Sequence, residues 1–173
     1  MRKRKTVHIT VLAMTLVLAL VSCKVTYKLN GASIDYNTIK SITIDAFTNR
    51  ASYQWAPMAS MFNNSISDKY NSQTKLRQVK RDGDLMLSGE ISSYDQTNKS
   101  VSADGYSSMV QLRMSVKVKF TNNKKHEQDF DRSFSASREY DSSQQLSAVQ
   151  EELVQQMIDD IIDQIFNATV ANW

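Results

Sequence analysis

Histidine and cysteine, side chains that often carry chemistry, are scarce in this sequence: it has two histidines and one cysteine in 173 residues. His8 lies in an apolar N-terminal stretch, and His126 lies in the turn-like segment NNKKHEQ. A Ser-His-Asp triad or a histidine-rich metal site would need remote residues to converge on His126, whereas a surface-loop histidine needs none. A lone cysteine excludes an internal disulfide and a Cys-rich metal site. The four glycines form no phosphate-cradling loop, and neither HExxH nor GxSxG occurs. Asp82 and Asp84 are spaced like paired carboxylates, but Asp82-Gly83-Asp84 has an obvious role as a turn. The expectation is a non-enzyme that needs no cofactor and no metal.

A hydrophobic run of transmembrane length is also missing. Arg2 to Lys5 are basic, and the apolar stretch from Val7 to Val21 falls short of the roughly 20 residues that cross a bilayer. A basic start, a short apolar run and small residues before a cut are the marks of a signal peptide. Leu20-Val21-Ser22-Cys23 resembles the bacterial lipobox, in which the cysteine is acylated and becomes the first residue of the mature chain. The alternative is an uncleaved anchor with an idle thiol. The reading is a signal peptide over 1–22, a lipidated tether over 23–37 and a folded domain over 38–173. Two or more acyl chains give stable membrane attachment, so the protein is expected at a membrane surface. Lys24 follows the cysteine where aspartate would signal inner-membrane retention, which favours the outer membrane.

Net charge of one sign disappears with the leader. Four of the 21 Lys and Arg lie in the first five residues, leaving 17 against 18 Asp and Glu. Nothing in that balance calls for nucleic acid.

The 151 residues after the leader suffice for one core. IKSITIDAF (39–47) alternates as a half-buried strand should. Pro57 suits the first turn of a helix, and Met58, Met61, Phe62, Ile66 and Tyr70 repeat at helical spacing to about residue 70. Leu76 to Lys80 followed by the Asp82-Gly83-Asp84 turn and Leu85 to Ile91 predicts a hairpin. Val110 to Phe120 is the clearest strand, with Val110, Leu112, Met114, Val116, Val118 and Phe120 facing one way. Gln128 to Tyr140 returns with Phe130, Phe134 and Ala136 on one face. Arg132 and Arg138 share that parity, which requires either incomplete burial or a bulge.

The last element is helical. Leu146, Val149, Leu153, Met157, Ile161 and Ile165 form a stripe widened by Val154, Ile158, Ile162 and Phe166, with Asp141 or Ser142 as candidate caps. Its acids, Glu151, Glu152, Asp159, Asp160 and Asp163, read as a solvated face. The fold class is α+β: a two-layer sandwich with a four- to five-stranded mixed or antiparallel sheet on two helices, its other face polar.

That free face carries the main candidate site. Arg113, Lys117 and Lys119 point away from the apolar side of the long strand and span about 20 Å at roughly 3.4 Å per residue. Such a row suits phosphates or carboxylates; the competing reading pairs it across the sheet with Glu90, Asp131 or Glu139. Tyr94 and Tyr106 flank a polar loop, and Tyr53 and Trp55 lie before the first helix. They serve either as an interface or as anchors of the loops to the core.

With these elements in order, the mature chain resembles the LptE family of lipopolysaccharide-assembly lipoproteins. The resemblance rests on the lipobox ending at Cys23, FTNRA (47–51), LMLSGEISSY (85–94), LRMSVKVKFTN (112–122) and the terminal IIDQIFNATVANW (161–173). It implies one sheet against two helices, an outer-membrane location on the periplasmic side, and a place in the lumen of an LptD-like outer-membrane β-barrel. There the protein would plug the barrel, assist its assembly and bind lipopolysaccharide. In that setting Arg113, Lys117 and Lys119 become candidates for lipid A phosphates. The rival readings are an outer-membrane lipoprotein that activates a peptidoglycan synthase or builds a secretion channel, and an exported hydrolase.

Overall fold

A computed structural model describes residues 34–101 and 107–171. The elements are β1 (Ser41–Ile44), β2 (Thr48–Asn49), α1 (Met58–Gln73), β3 (Arg77–Gln78), β4 (Leu85–Val101), β5 (Ser107–Asn122), β6 (Phe130–Asp141) and α2 (Leu146–Phe166). A short 3-10 turn (His126–Gln128) precedes β6, and the chain winds into a π-helical turn (Asn167–Ala171) after α2. The strand order is β3-β1-β4-β5-β6, with β2 also paired to β4, so the sheet is mixed: β1, β2 and β3 run parallel to their partners and β4, β5 and β6 are antiparallel.

The long alternating strand, β5, lies between β4 and β6, and its parity decides the layers. Val110, Leu112, Met114, Val116, Val118 and Phe120 are all buried, and Arg113, Lys117 and Lys119 are all exposed. Both helices cover the apolar side. α1 buries Met58, Phe62, Ile66 and Tyr70, and α2 buries Gln150, Val154, Met157, Ile158, Ile161, Ile162 and Ile165. Leu146, Val149, Leu153 and Phe166 are only half-buried, so the buried stripe runs through Val154, Ile158 and Ile162. Gln150 is buried on that stripe because its amide donates to Tyr94 Oη at 3.1 Å, which removes the cost of an unpaired amide. Asp141 does not cap α2; its Oδ1 accepts from Ser143 N at 2.8 Å in a turn before the helix.

The hairpin expected between 76–80 and 85–91 does not form. β3 and β4 lie on opposite sides of β1, both parallel to it, so the segment 79–84 crosses over β1. The crossing is tight: a Cβ on Gly83 would come within 2.6 Å of Thr43 N and 2.8 Å of Ile42 C. Asp82 has a φ of 55°, a left-handed conformation in which aspartate is one of the more tolerated residues. The Asp-Gly-Asp signal marked a change of direction and was silent about the strand lying between.

The predicted strand over 39–47 is shortened to β1, which ends at Ile44, and β2 begins only at Thr48, because α1 reaches into the gap between them. Asn63 Oδ1 accepts from Phe47 N at 2.8 Å, and Asn63 Nδ2 donates to Phe47 O at 2.9 Å. A helix side chain thus satisfies the peptide groups that a neighbouring strand would otherwise take.

No bulge separates Arg132 and Arg138 from the inward face: β5 and β6 pair without a break from Met109–Asp141 to Phe120–Phe130. Burial is incomplete at this edge instead. The Arg138 guanidinium meets Asp160 at 2.7 Å and donates to Gln156 Oε1 at 2.9 Å. Arg132 stacks over the ring of Phe130, 4.2 Å from its centroid.

Candidate functional site

Because both helices lie on one side, the opposite face of β4, β5 and β6 stays open. Alternation along β5 places Gln111, Arg113, Ser115, Lys117 and Lys119 on it, and the register sets their neighbours. Arg113 lies between Asp95 and Ser137, Lys117 between Glu90 and Ser133, and Lys119 between Ser88 and Asp131. Directly opposed side chains have Cβ atoms about 5 Å apart. Even so, none of the ion pairs among the described residues involves Arg113, Lys117 or Lys119; Arg113 Nη2 donates weakly to Ser135 Oγ at 3.4 Å.

The face is therefore mixed in sign. Its three basic side chains alternate with Glu90, Asp95, Asp131 and Glu139, and Ser88, Ser115, Ser133, Ser135 and Ser137 fill the space between them. Short hydroxyls leave the surface low, so the longer cationic arms stand above it. Such an array offers hydroxyl donors and acceptors together with charge-assisted donors, which suits a ligand rich in sugar hydroxyls and phosphates.

Of the two acidic candidates, Asp82 is exposed and Asp84 is committed to structure. Asp84 Oδ2 accepts from Lys40 N at 2.9 Å, Ser41 N at 3.1 Å and Ser41 Oγ at 3.0 Å, and Oδ1 meets Lys124 Nζ at 3.0 Å. The Lys40 N–H is the main influence holding this carboxyl down at about 2; burial opposes it, and Lys124 and Ser41 add to the lowering. A carboxylate so engaged cannot serve as a general acid near neutral pH. His126 lies on the surface with Nδ1 3.1 Å from Asp129 Oδ2, a pairing local to one turn. Among the described residues no group of three or more His, Cys, Asp or Glu is arranged to hold a metal ion.

Cys23 and Tyr106 lie outside the described residues. Tyr94 is an anchor, 3% exposed, and Tyr53 stacks on it at 5.7 Å while remaining 50% exposed. They line a small cleft of about 210 Å³ with Asp95, Gln96, Leu112 and Leu146. Sequence reasoning missed a second grouping: the crossing segment 79–84 and the turn 122–128 are clasped together by Asn123, whose Nδ2 donates to Gly83 O at 2.8 Å and whose N donates to Asp84 O at 2.9 Å. The basic residues of those segments were visible in the sequence, but nothing local indicated that the two turns meet.

One sheet, two helices on one side and an open polar face on the other is the arrangement expected of an LptE-like domain. Residues 39–169 match the family described as LptE: Lipopolysaccharide-assembly. The chain belongs to this family. The LptE family is a non-enzymatic family of lipopolysaccharide-assembly lipoproteins that works with the transport machinery, and membership supports a role for this chain in lipopolysaccharide assembly. Similar solved structures include the rare lipoprotein B from Shewanella oneidensis, at 14% identity and a TM-score of 0.56, covering 75% of this chain and 92% of that one. Lipoprotein B from Nitrosomonas europaea is similar at 14% identity and a TM-score of 0.54, covering 75% and 81%. Protein CT253 from Chlamydia trachomatis is similar at 11% identity and a TM-score of 0.51, covering 75% and 98%. At such identities these likenesses show the LptE-like fold alone. No curated protein matches the sequence.

Proposed function

We propose that this LptE-family protein is anchored in the outer membrane through acylated Cys23 and sits in the lumen of an LptD-like β-barrel. There it plugs the pore, supports barrel assembly and contacts lipopolysaccharide on its way to the cell surface. The observation that carries this reading is the one-sided covering of the sheet. Leaving the middle strands of a sheet open on one face is useful when that face meets something, and its serines and cations suit a glycolipid phosphate better than an apolar partner. Arg113, Lys117 and Lys119 are assigned to the phosphates of lipid A: the arginine as a planar fork and the lysines as point charges.

Mild-detergent purification of a C-terminally tagged chain from outer membranes tests the partner. Recovery of a large β-barrel at near-equal stoichiometry supports the reading; recovery of a peptidoglycan synthase, or only of further copies of the chain, overturns it. The ligand is tested by replacing Arg113, Lys117 and Lys119 with serine, which should weaken lipopolysaccharide binding while the fold survives. Unchanged affinity would remove the assignment.

A further inference from the structure

The end of the domain at which the chain enters from Cys23 differs electrically from its other surfaces. Ile34 is buried, so chain entry is fixed there. Asp35 organises a turn by accepting from Asn37 N at 3.0 Å and Thr38 Oγ1 at 3.0 Å, and Lys40 then leads into β1. Around this entry lie the crossing segment 79–84 and the turn 122–128, held together through Asn123, Asp84 and Lys124. Arg77 adjoins them, its N donating to Lys40 O at 3.0 Å. Lys40, Arg77, Lys80, Arg81, Lys124 and Lys125 are all exposed here.

Most of the acids in this region are turned to internal use. Asp35 holds its own turn, Asp84 binds Lys40 and Ser41, and Asp129 Oδ1 accepts from Asn122 N at 2.7 Å while Oδ2 meets His126. Asp82 and Glu127 are the exposed acids left among the cations. The outer face of the helix layer carries the opposite sign, with Asp68, Glu151, Glu152, Asp159 and Asp163 exposed. The sequence between Cys23 and the domain, residues 24–33, adds Lys24 and Lys28 and no acid.

We infer that the turns at 79–84 and 122–128 form a basic foot that rests on the anionic phospholipid surface of the leaflet holding the Cys23 lipid. The inference depends on the anchoring proposed above, and it adds an orientation to it. Cys23 is eleven residues before Ile34, so the tether keeps the foot within at most about 40 Å of the bilayer. Over that range the attachment at Cys23 does not by itself set which side of the domain meets the bilayer. Basic residues near an anionic leaflet gain roughly 1 kcal/mol each, about a fivefold factor in affinity per residue, and the attraction fades within a Debye length. The acidic helix face is repelled by the same surface. Attraction at one end and repulsion along one side together select a single orientation, presenting the domain to the barrel with its basic end at the periplasmic rim.

The test is flotation of the mature chain, residues 23–173 made without acyl groups, with vesicles of phosphatidylcholine alone or with about 30 mol % phosphatidylglycerol at about 0.1 M salt. Its outcome does not depend on whether Cys23 is acylated in cells; that is read separately from the mass of the N-terminal peptide. The expected result is binding at least about tenfold tighter to the anionic vesicles, lost by about tenfold or more in Lys80→Ser/Arg81→Ser/Lys125→Ser and restored in Lys80→Arg/Lys125→Arg. Lys99→Ser, near the opposite end of β4 from the foot, should bind the vesicles like the unaltered chain. Equal binding to both vesicle types, full binding by the triple serine variant, or an equal loss in the Lys99 variant would overturn the inference. So would displacement by inorganic phosphate at constant ionic strength, which would make the foot a site for free anions.

Discussion

The ring of Phe47 lies against Gly89: a Cβ at that glycine would come within 2.5 Å of Phe47 Cε1 and 2.2 Å of Lys117 O. Phe47 is 1% exposed and packs against Phe62 of α1 with ring centroids 4.9 Å apart and planes tilted by 47°, so the contact joins β4, the gap between β1 and β2, and the first helix. A methyl group here has nowhere to go except by moving the backbone of β5 or the core ring. Gly89→Ala should therefore destabilise the domain by about 1–3 kcal/mol, the range for overpacking a core. Urea denaturation followed by circular dichroism measures it, and a midpoint equal to that of the unaltered chain would contradict the packing.

The Asp84 clasp makes stability depend on acid. Its carboxyl sits at about 2 in the fold, below the ordinary 3.8. The stabilisation is fully present above about pH 4 and is lost as pH falls through about 2. Asp84→Asn should cost about 1.5–3 kcal/mol at pH 6, as expected for hydrogen bonds to a charged acceptor. Near pH 2 the gap between variant and unaltered chain should narrow. Paired urea titrations at the two pH values decide it, and a constant gap would mean that the charge plays no part.

A buried hydroxyl pair ties the C-terminal part of α1 to the turn that follows α2. Tyr70 Oη and Thr169 Oγ1 hydrogen-bond with both residues fully buried, and Thr169 Oγ1 also donates to Ile165 O at 2.9 Å. Burial pushes the Tyr70 hydroxyl well above its ordinary value, although the Thr169 contact lowers it somewhat. Tyr70→Phe and Thr169→Val should each cost about 1 kcal/mol, and the double variant should cost less than their sum. Strict additivity in the cycle would show that the two hydroxyls act independently.

The basic row should be dispensable for folding. Arg113, Lys117 and Lys119 are exposed and make no ion pair among the described residues. Replacing all three with serine should change stability by no more than about 0.5 kcal/mol, as for ordinary surface substitutions. A larger loss in a thermal melt would mean that cross-strand attraction to Glu90, Asp95 and Asp131 holds the sheet together.

Local pattern was sufficient wherever geometry is local. The alternation in Val110 to Phe120 determined which side of β5 is buried, because successive strand side chains point to opposite faces whatever the partner. The spacing of Met58, Phe62, Ile66 and Tyr70, and of Val154, Ile158, Ile161 and Ile165, determined both helices and their apolar stripes in the same way. Two helices with one stripe each and strands with one apolar face were enough to imply the two-layer class and the open sheet face that carries the candidate site.

Tertiary structure decided what depends on contacts between distant segments. That β3 and β4 flank β1 was illegible because a turn signal specifies backbone dihedrals and says nothing of which strand lies beside which. The gap between β1 and β2 at Phe47 needed Asn63, sixteen residues later, to arrive with its amide in place. Arg132 and Arg138 keep the inward parity because the sheet ends beside α2, where Asp160 and Gln156 accept one guanidinium and two aromatic rings carry the other. The mixed sign of the open face and the clustering of two basic turns at the chain's entry both follow from register and crossover. Periodicity reports the environment of one element at a time, and these features are relations between elements.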